Sequence, residues 1–199
     1  MKRRLAISFV ITSFIYATNV SADTYIVQSG DSLWKIAVKY QIGLSEIIAA
    51  NPQIRNPALI YPNQKVTIPE KNQQAQSYEM EVVRLVNVQR SNNGLRALTN
   101  NWELQRVAQY KARDLTDRNY FSHNSPVYGS PFDMMKNFGI RYSSAGENIA
   151  KGQRTPKEVM NAWMNSQGHR ANILNANYTQ IGVGYDSRSN AWVQMFIRP

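Results

Sequence analysis

The chain has 199 residues and a formal net charge of +10 at pH 7, from 23 Lys and Arg against 13 Asp and Glu. It contains no cysteine, which excludes disulfide bonds, lipid attachment through an N-terminal cysteine, a thiol nucleophile and thiolate metal ligands. The length suffices for one domain of ordinary size and a second, small one, and core packing must hold both together.

The first 22 residues have the composition of an export signal. Lys2, Arg3 and Arg4 form a basic start, residues 5–17 are mostly apolar, and residues 20–22 form a small-residue cleavage site. An uncleaved membrane anchor is the alternative, but this apolar segment is short for the ~20 apolar residues that a spanning helix needs. We therefore expect a signal peptide over residues 1–22, a secreted protein and no stable membrane span.

The positive charge lies in the C-terminal part of the chain. Residues 23–70 contain four basic and four acidic residues, whereas residues 71–199 contain sixteen basic and nine acidic residues. A neutral first module favours an uncharged ligand, and a basic second module favours anionic polymers through long-range, salt-sensitive attraction. Nucleic acid is not expected, because an exported protein meets anionic wall polymers or membrane surfaces first. A solvated basic face without a partner is the alternative.

The first module has the predicted order strand, helix, helix, strand. The strands are expected near residues 24–28 and 65–68, where β-branched and aromatic residues prevail. Asp31 or Ser32 is suited to cap the first helix, and Gly43 is expected to end it. That helix is indicated by apolar residues at helical spacing: Leu33, Ile36, Ala37 and Tyr40.

This module resembles a LysM domain over its whole length. The resemblance rests on Tyr25-x-Val27-x-x-Gly30-Asp31-Ser32-Leu33-Trp34-x-Ile36-Ala37, on Asn51-Pro52, and on Ile60-Tyr61-Pro62-Asn63-Gln64-x-Val66-x-Ile68-Pro69. The family usually has glycine where this chain has Asn63. Asparagine tolerates positive φ best among the other residues, so we expect the turn to survive.

LysM domains bind glycans that contain N-acetylglucosamine, such as peptidoglycan or chitin, and the resemblance implies the same partner here. The implied groove lies between the loop after the first strand and the loop before the second, where backbone amides and apolar side chains would grip a sugar. The implied binding residues are Gly30, Asp31, Ser32, Leu33, Asn51, Pro52, Ile54, Ile60 and Tyr61. Core packing is expected to dominate for Leu33, and Trp34 is expected to be structural.

Residues 71–78 are polar and lack apolar periodicity, which predicts a flexible linker. The linker would join the LysM-like module, residues 23–70, to a second module, residues 79–199. Because it is short, it would keep the second module near whatever the first one binds.

The second module shows four helical patterns followed by late strands. The helices are expected over residues 80–90, after Asn101, after Ser130 and after Thr155. Two strands are expected, over residues 181–185 and 192–197, and the second is apolar on both faces, which places layers above and below it. Gly182 and Gly184 alternate with bulky residues, so a packed helix or a ligand must approach the first strand closely. These patterns predict an α–β–α sandwich and an α+β chain overall.

The second module resembles a bacterial CAP domain (SCP-like, PR-1-like) over nearly all of its length. The matching segments are Asn87-x-x-Arg90, Gly94-Leu95-x-x-Leu98, Phe121-Ser122-His123, Gly146-Glu147-Asn148-Ile149, Trp163-Met164-x-Ser166-x-Gly168-His169-Arg170-x-Asn172-Ile173-Leu174, Ile181-Gly182-Val183-Gly184 and Trp192-Val193-Gln194. The fold implied is the same α–β–α sandwich.

CAP domains commonly have a cleft with two His and two Glu, sometimes with a bound metal. The resemblance assigns His123, His169 and Glu147 to this cleft, whereas Ser166 replaces the second Glu. Two imidazoles and one carboxylate resemble a catalytic zinc site with an open position for water, but the usual second acid is missing. We do not assign a cofactor from the sequence; a divalent metal such as zinc is the candidate. The alternative is a hydrogen-bonded cluster that connects a loop, a strand and a turn without catalysis.

Three functions follow from this sequence. The first, which we favour, is a cell-wall-associated protein that binds peptidoglycan through its LysM-like module and presents the CAP-like module for ligand binding or envelope assembly. The second is a wall-remodelling hydrolase that uses the His/Glu cleft. The third, binding of a small lipid, rests on family analogy alone. A serine hydrolase has no support, because no serine lies in a Gly-x-Ser-x-Gly context.

Overall fold

A computed structural model describes residues 23–199, so the predicted signal peptide lies outside the described residues. The first module contains two helices and a two-stranded antiparallel sheet: β1 (Asp23–Ile26), α1 (Leu33–Tyr40), α2 (Leu44–Ala49) and β2 (Lys65–Ile68). The predicted order of strand, helix, helix and strand is confirmed.

Local capping residues set the ends of α1. The Ser32 side chain accepts a hydrogen bond from the Lys35 backbone N–H, at 3.2 Å, which satisfies one free donor at the helix start. The helix ends at Gln41, which is left-handed with φ 52°, and Gly43 instead precedes α2. The helix therefore ends two residues earlier than predicted, because Gln41, not Gly43, adopts the left-handed conformation that terminates it. Asn63 has φ 68°, as its place in the closing turn predicts.

The second module contains five helices and one four-stranded sheet among the described residues. Its elements are α3 (Gln73–Asn92), β3 (Thr99–Asn100), α4 (Trp102–Asp117), α5 (Pro131–Asn137), β4 (Ser144–Lys151), α6 (Pro156–Met164), α7 (Gln167–Ile173), β5 (Gln180–Asp186) and β6 (Ala191–Arg198). The sheet order is β3-β5-β6-β4, with β3 parallel to β5 and the other pairs antiparallel.

Two separate hydrophobic clusters flank this sheet. One packs α3, α6 and α7 against residues such as Val183, Trp192 and Phe196, and the other packs α4 and α5 against Val193 and Met195. Because β6 pairs on both edges and is covered on both faces, its residues 191–197 are all buried. The predicted α–β–α sandwich is confirmed.

The bare face of β5 is explained by a helix. A Cβ atom on Gly182 would overlap the backbone of Leu104 and Gln105 in α4, and one on Gly184 would overlap that of Ala108. Of the two predicted causes for these glycines, the packed helix is therefore the one observed, and it brings α4 directly onto the sheet.

The polar segment between the modules is helical, not a flexible linker. Helix α3 begins at Gln73, and the Asn72 side chain accepts a hydrogen bond from the Ala75 backbone N–H, at 2.9 Å. Ala75 is buried and Glu79 is fully buried, so the first two turns pack against the module. The linker prediction is wrong because a capping asparagine and one buried alanine suffice to extend a helix that is stabilised further along.

Within the described residues, none of the helices combines the length and apolar character that crossing a membrane requires.

Candidate functional site

Glu147 lies in the middle of β4, opposite Met195 of β6, and its side chain is only 1% exposed. Its Oε1 atom lies 2.7 Å from the Nδ1 atom of His123, whose side chain is about half exposed. Burial raises the pKa of the Glu147 carboxyl, and the hydrogen bond with His123 and the positive charge of Lys111 oppose that rise. Its Oε2 atom is buried and has no hydrogen-bond partner among the described residues.

The loop that carries His123 is held by a buried lysine. The Nζ atom of Lys111 donates to the backbone carbonyls of Ser122, at 3.0 Å, and His123, at 2.7 Å, and to the Tyr120 hydroxyl, at 2.9 Å. Lys111 is completely buried, and burial lowers its pKa while the charges of Glu147 and Asp114 oppose that shift. Helix α4 therefore fixes the position of the His123 backbone.

Asp114 completes this network one turn further along α4. It accepts hydrogen bonds from the hydroxyl groups of Tyr120 and Ser125, the latter at 2.7 Å. Sequence reasoning missed Lys111 and Asp114, although a signal was available. Both lie seven residues after apolar residues of the buried helix face, Leu104 and Val107, so their spacing places charged groups inside the module.

His169 lies in helix α7, not in a turn as the sequence predicted. Its backbone carbonyl accepts a hydrogen bond from the Asn148 side chain, at 3.1 Å. Asn172, one turn later, donates to the Glu147 backbone carbonyl and to the Asn148 side chain, at 3.2 and 2.8 Å. These bonds connect α7 to β4 beside Glu147. Burial lowers the pKa of the His169 imidazole, and the nearby His123 adds to that shift.

Buried Arg90 holds the far end of α7. Its guanidinium donates to the carbonyls of Ile173, at 2.8 Å, and Asn175, at 2.9 Å, while its Nε atom donates to the Arg96 carbonyl. The side chain is almost completely buried and has no carboxylate partner within residues 23–199, and burial lowers its pKa. The Asn-x-x-Arg segment of α3 therefore serves to position the turn and helix that carry His169.

The predicted metal centre is not assembled. Across residues 23–199, no group of three or more His, Cys, Asp or Glu side chains is placed to hold a metal ion. The Glu147 carboxylate bonds to His123 alone, and no hydrogen bond joins it to the His169 ring among the described residues. The described residues thus show a single carboxylate–imidazole pair, and neither a three-ligand set nor a carboxylate held between two imidazoles is seen among them. The residues present do not fit a metal in this arrangement.

The implied glycan groove lies at one end of the β1–β2 ladder. The Val27 backbone N–H donates to the Gln64 carbonyl, at 3.0 Å, and the Val27 carbonyl accepts from the Asn63 backbone N–H, at 2.9 Å. The loop after β1 and the loop before β2 therefore leave the ladder side by side. Gly30 has φ 85° and open space around it. The Asp31 carboxylate accepts from the Gln28 backbone N–H, at 2.7 Å, and from the Tyr25 hydroxyl, at 2.8 Å; these bonds lower its pKa and fix the loop.

The nine implied glycan-binding residues divide by exposure. Leu33, Asn51 and Ile54 are buried; Gly30, Pro52 and Tyr61 are exposed; Asp31, Ser32 and Ile60 are intermediate. Asn51 bonds to the Ile47 carbonyl and to both backbone groups of Thr67, so its side chain is part of the core. Trp34 is 61% exposed, which contradicts the expectation that it packs structurally. Helical spacing places it on the outer face of α1, next to the loop that contains Gly30.

Comparison with known families agrees with this geometry. A family model described as the cysteine-rich secretory protein family, CAP, matches residues 83–196, and a model of the LysM domain matches residues 25–69. The chain belongs to the CAP family. Its CAP domain is therefore the second module, and the N-terminal module is a LysM domain.

Several relatives share the CAP domain but are longer than this chain. The uncharacterized protein YkwD of Bacillus subtilis is 58% identical over 121 residues, which are 61% of this chain and 47% of that protein. The uncharacterized membrane protein YlbC of the same organism is 37% identical over 120 residues, 60% of this chain and 34% of that protein. The chain thus spans half or less of the length of these relatives.

Solved structures show the same fold. An extracellular protein with an SCP domain from Bacillus anthracis is 33% identical, with a TM-score of 0.61 over 69% of this chain and 47% of that chain. A cysteine-rich secretory protein from Staphylococcus aureus is 18% identical, with a TM-score of 0.57 over 77% of this chain and 48% of that chain. At that lower identity the likeness concerns the fold alone.

Proposed function

We propose that this chain is a secreted, cell-wall-associated protein whose LysM domain binds peptidoglycan or another glycan that contains N-acetylglucosamine. In this proposal the CAP domain binds a second envelope component. The observation that carries the first part is the pair of loops that leave one end of the β1–β2 ladder together, with Gly30 on one side and exposed Tyr61 on the other.

The chemistry of these loops suits a neutral sugar chain. Gly30 leaves space at the loop, because apart from its chain neighbours no atom lies within 4 Å of the place that a Cβ would occupy; its carbonyl accepts a hydrogen bond from the Lys35 Nζ atom, at 2.6 Å. Tyr61 is 60% exposed and Trp34 is similarly open, so aromatic surface is available to cover a sugar face. The module carries no net charge, which agrees with an uncharged ligand. Chemical fit and the LysM match support the same partner.

The CAP domain supports binding better than turnover. Glu147 is fixed by an imidazole whose backbone is held by Lys111, and the second acid expected of the family is Ser166 here. The basic excess of residues 71–199 favours anionic wall polymers as the second partner. The similar Bacillus anthracis protein is extracellular, which supports a location outside the cytoplasm.

Sedimentation with insoluble peptidoglycan tests the LysM part of the proposal. The mature full chain should sediment. Tyr61→Ala should raise the glycan concentration needed to sediment half of the protein by about tenfold, which is the loss expected for one well-stacked aromatic contact. Phe132→Ala is the matched control, since Phe132 is also an exposed aromatic but lies in α5 of the CAP domain. Equal sedimentation of both variants and of the unmodified chain would reject Tyr61 as a glycan contact.

A further inference from the structure

A cavity of about 200 Å³ lies between the LysM and CAP domains, apart from both sites described above. We call it the inter-module cavity. Its walls come from the turn between α1 and α2, from residues 69–72 and from the outer face of α4. Ligand sites occur preferentially at such domain interfaces. The volume is below the roughly 300–1,000 Å³ of pockets for drug-sized ligands, so a ligand with a single ring fits it best.

The two walls are held together by a salt bridge. The Nε atom of Arg106 in α4 lies 2.9 Å from Oε1 of Glu46 in α2, and both side chains are about three-quarters buried. Gly43 is required for this contact, because a Cβ atom there would overlap the Arg106 guanidinium and the Glu46 carboxylate. The cavity is thus bounded by a built interface between the two domains.

Cationic side chains of the cavity lack a carboxylate partner. Lys71 and Arg113 both line it, and among the described residues no carboxylate lies within salt-bridge distance of either one. Lys71 is half-buried, and its burial lowers its pKa, a shift that the charge of buried Glu79 partly opposes. Glu46 is already paired with Arg106, so Glu70 is the one lining acid without a cation. An anionic ligand would supply the missing charge.

The remaining lining groups are suited to a sugar. Trp102 and Tyr110 offer aromatic surface, on which the apolar face of a pyranose ring packs. Gln109 donates through Nε2 to the buried carboxylate of Glu79, at 2.9 Å, which fixes its amide orientation. Its carbonyl oxygen then has no partner among the described residues and can accept a hydrogen bond from an acetamido N–H or a hydroxyl group of a ligand.

The geometry points to the inter-module cavity as a second sugar-binding site, which takes one N-acetylated sugar unit that carries a carboxylate. The carboxylate would bind Arg113 and Lys71, the ring would pack on Trp102, and Gln109 would accept from the ligand. This inference rests on the proposed function, since peptidoglycan contains such a sugar, N-acetylmuramic acid, beside N-acetylglucosamine. The LysM groove would then bind the neutral sugar, and the inter-module cavity would bind the acidic one.

The test is a fluorescence titration of the full mature chain with N-acetylmuramic acid. The titration is made on a Trp34→Phe background, because Trp34 is 61% exposed beside the LysM groove and would report on that groove. The emission of partly exposed Trp102 should change and saturate, and adding Trp102→Phe should abolish the response, because Trp163 and Trp192 are fully buried. Arg113→Gln should raise the apparent Kd about tenfold, as expected for loss of one charge-assisted hydrogen bond. Arg154→Gln is the matched control, since it removes the same charge from an exposed residue beside α6.

Comparison ligands separate the parts of the inference. N-acetylglucosamine should give no saturation at the concentration that saturates with N-acetylmuramic acid; equal binding of the two would overturn recognition of the carboxylate. Equal binding of free lactate or of the dipeptide L-alanyl-D-glutamate would overturn recognition of the sugar. No response to N-acetylmuramic acid, or an unchanged Kd in Arg113→Gln, would overturn the site itself.

The test also distinguishes this site from the LysM groove. Tyr61→Ala should weaken sedimentation with peptidoglycan and keep the Trp102 response. If instead the unmodified chain fails to sediment but still binds N-acetylmuramic acid, the proposed groove fails while the cavity stands.

Discussion

Glu79 offers the sharpest test of how the CAP domain is held together beneath the inter-module cavity. It is fully buried in α3 and accepts hydrogen bonds from Gln105, at 2.7 Å, from Gln109, at 2.9 Å, and from the Tyr185 backbone N–H, at 3.0 Å. Burial raises its pKa from the ordinary 4.5 to about 7, and the three donors oppose that rise without cancelling it. We predict that Glu79→Gln changes the stability of the chain, relative to the unmodified chain, more favourably at pH 8 than at pH 4.

The sign follows from proton binding. Between pH 4.5 and about 7 the folded chain holds the Glu79 proton and the unfolded chain does not, so the free energy of unfolding falls as the pH rises. Below pH 4.5 Glu79 is protonated in both states, and its ionisation costs the folded chain no stability. Above pH 7 Glu79 is ionised in both states, and this cost, the ionisation penalty, is complete. Since one pKa unit corresponds to about 1.4 kcal/mol, the full penalty is about 3 kcal/mol. Glutamine mimics the protonated acid and cannot ionise.

Urea unfolding from pH 4 to pH 8 measures this effect as the difference between the two free energies of unfolding. The difference should change by about 3 kcal/mol in favour of Glu79→Gln across this range, whatever its constant offset from altered hydrogen bonds. Glu81→Gln is the control on the same helix; the pKa of Glu81 is lowered by its bond with Arg84, so its difference should not change in that direction. A flat difference for Glu79→Gln would refute the assignment of a buried acid with a raised pKa.

Three further perturbations test the rest of the structure. Gly182→Ala should destabilise the chain by ~3 kcal/mol in thermal unfolding, because its new methyl group overlaps the backbone of α4, whereas Gly168→Ala, with open space around it, should be nearly neutral. Asn51→Ala should speed hydrogen exchange at Thr67 in β2 by at least tenfold, because three hydrogen bonds at 2.7–2.8 Å are lost; unchanged exchange would contradict a structural role. His169→Ala should leave both wall binding and release of wall fragments unchanged. If the unmodified chain releases wall fragments and this variant does not, although both bind the wall, the result would instead support the hydrolase.

Local signals in the sequence predicted most of the fold. Ser32, Asn101 and Ser130 each accept a hydrogen bond from the backbone at the start of the helix they were expected to cap. The alternation of glycine and bulky residues in β5, and the doubly apolar β6, predicted the layers correctly. Such features depend on neighbours within a few positions, so a single sequence records them.

The failures concern contacts that are distant in the sequence. The polar start of α3 becomes helical because Glu79 bonds to Tyr185, 106 positions away, and to α4. Helix α7 is fixed by Arg90 and Asn148, so its place beside β4 could not be read from its own polar residues. The candidate cluster brought the correct pair together, His123 and Glu147, but the family pattern alone did not show that His169 bonds elsewhere through its backbone.

We propose above that the loops at the end of the β1–β2 ladder bind a glycan that contains N-acetylglucosamine. The most direct measurement is an NMR titration of the isotope-labelled mature chain with an oligomer of N-acetylglucosamine, read as amide shift changes at each residue. We predict saturable changes that are largest at Gly30, Asp31, Ser32, Ile60 and Tyr61, with residues of the CAP sheet unaffected. Shifts confined to the CAP domain, or none at all at saturating oligomer, would contradict the claim.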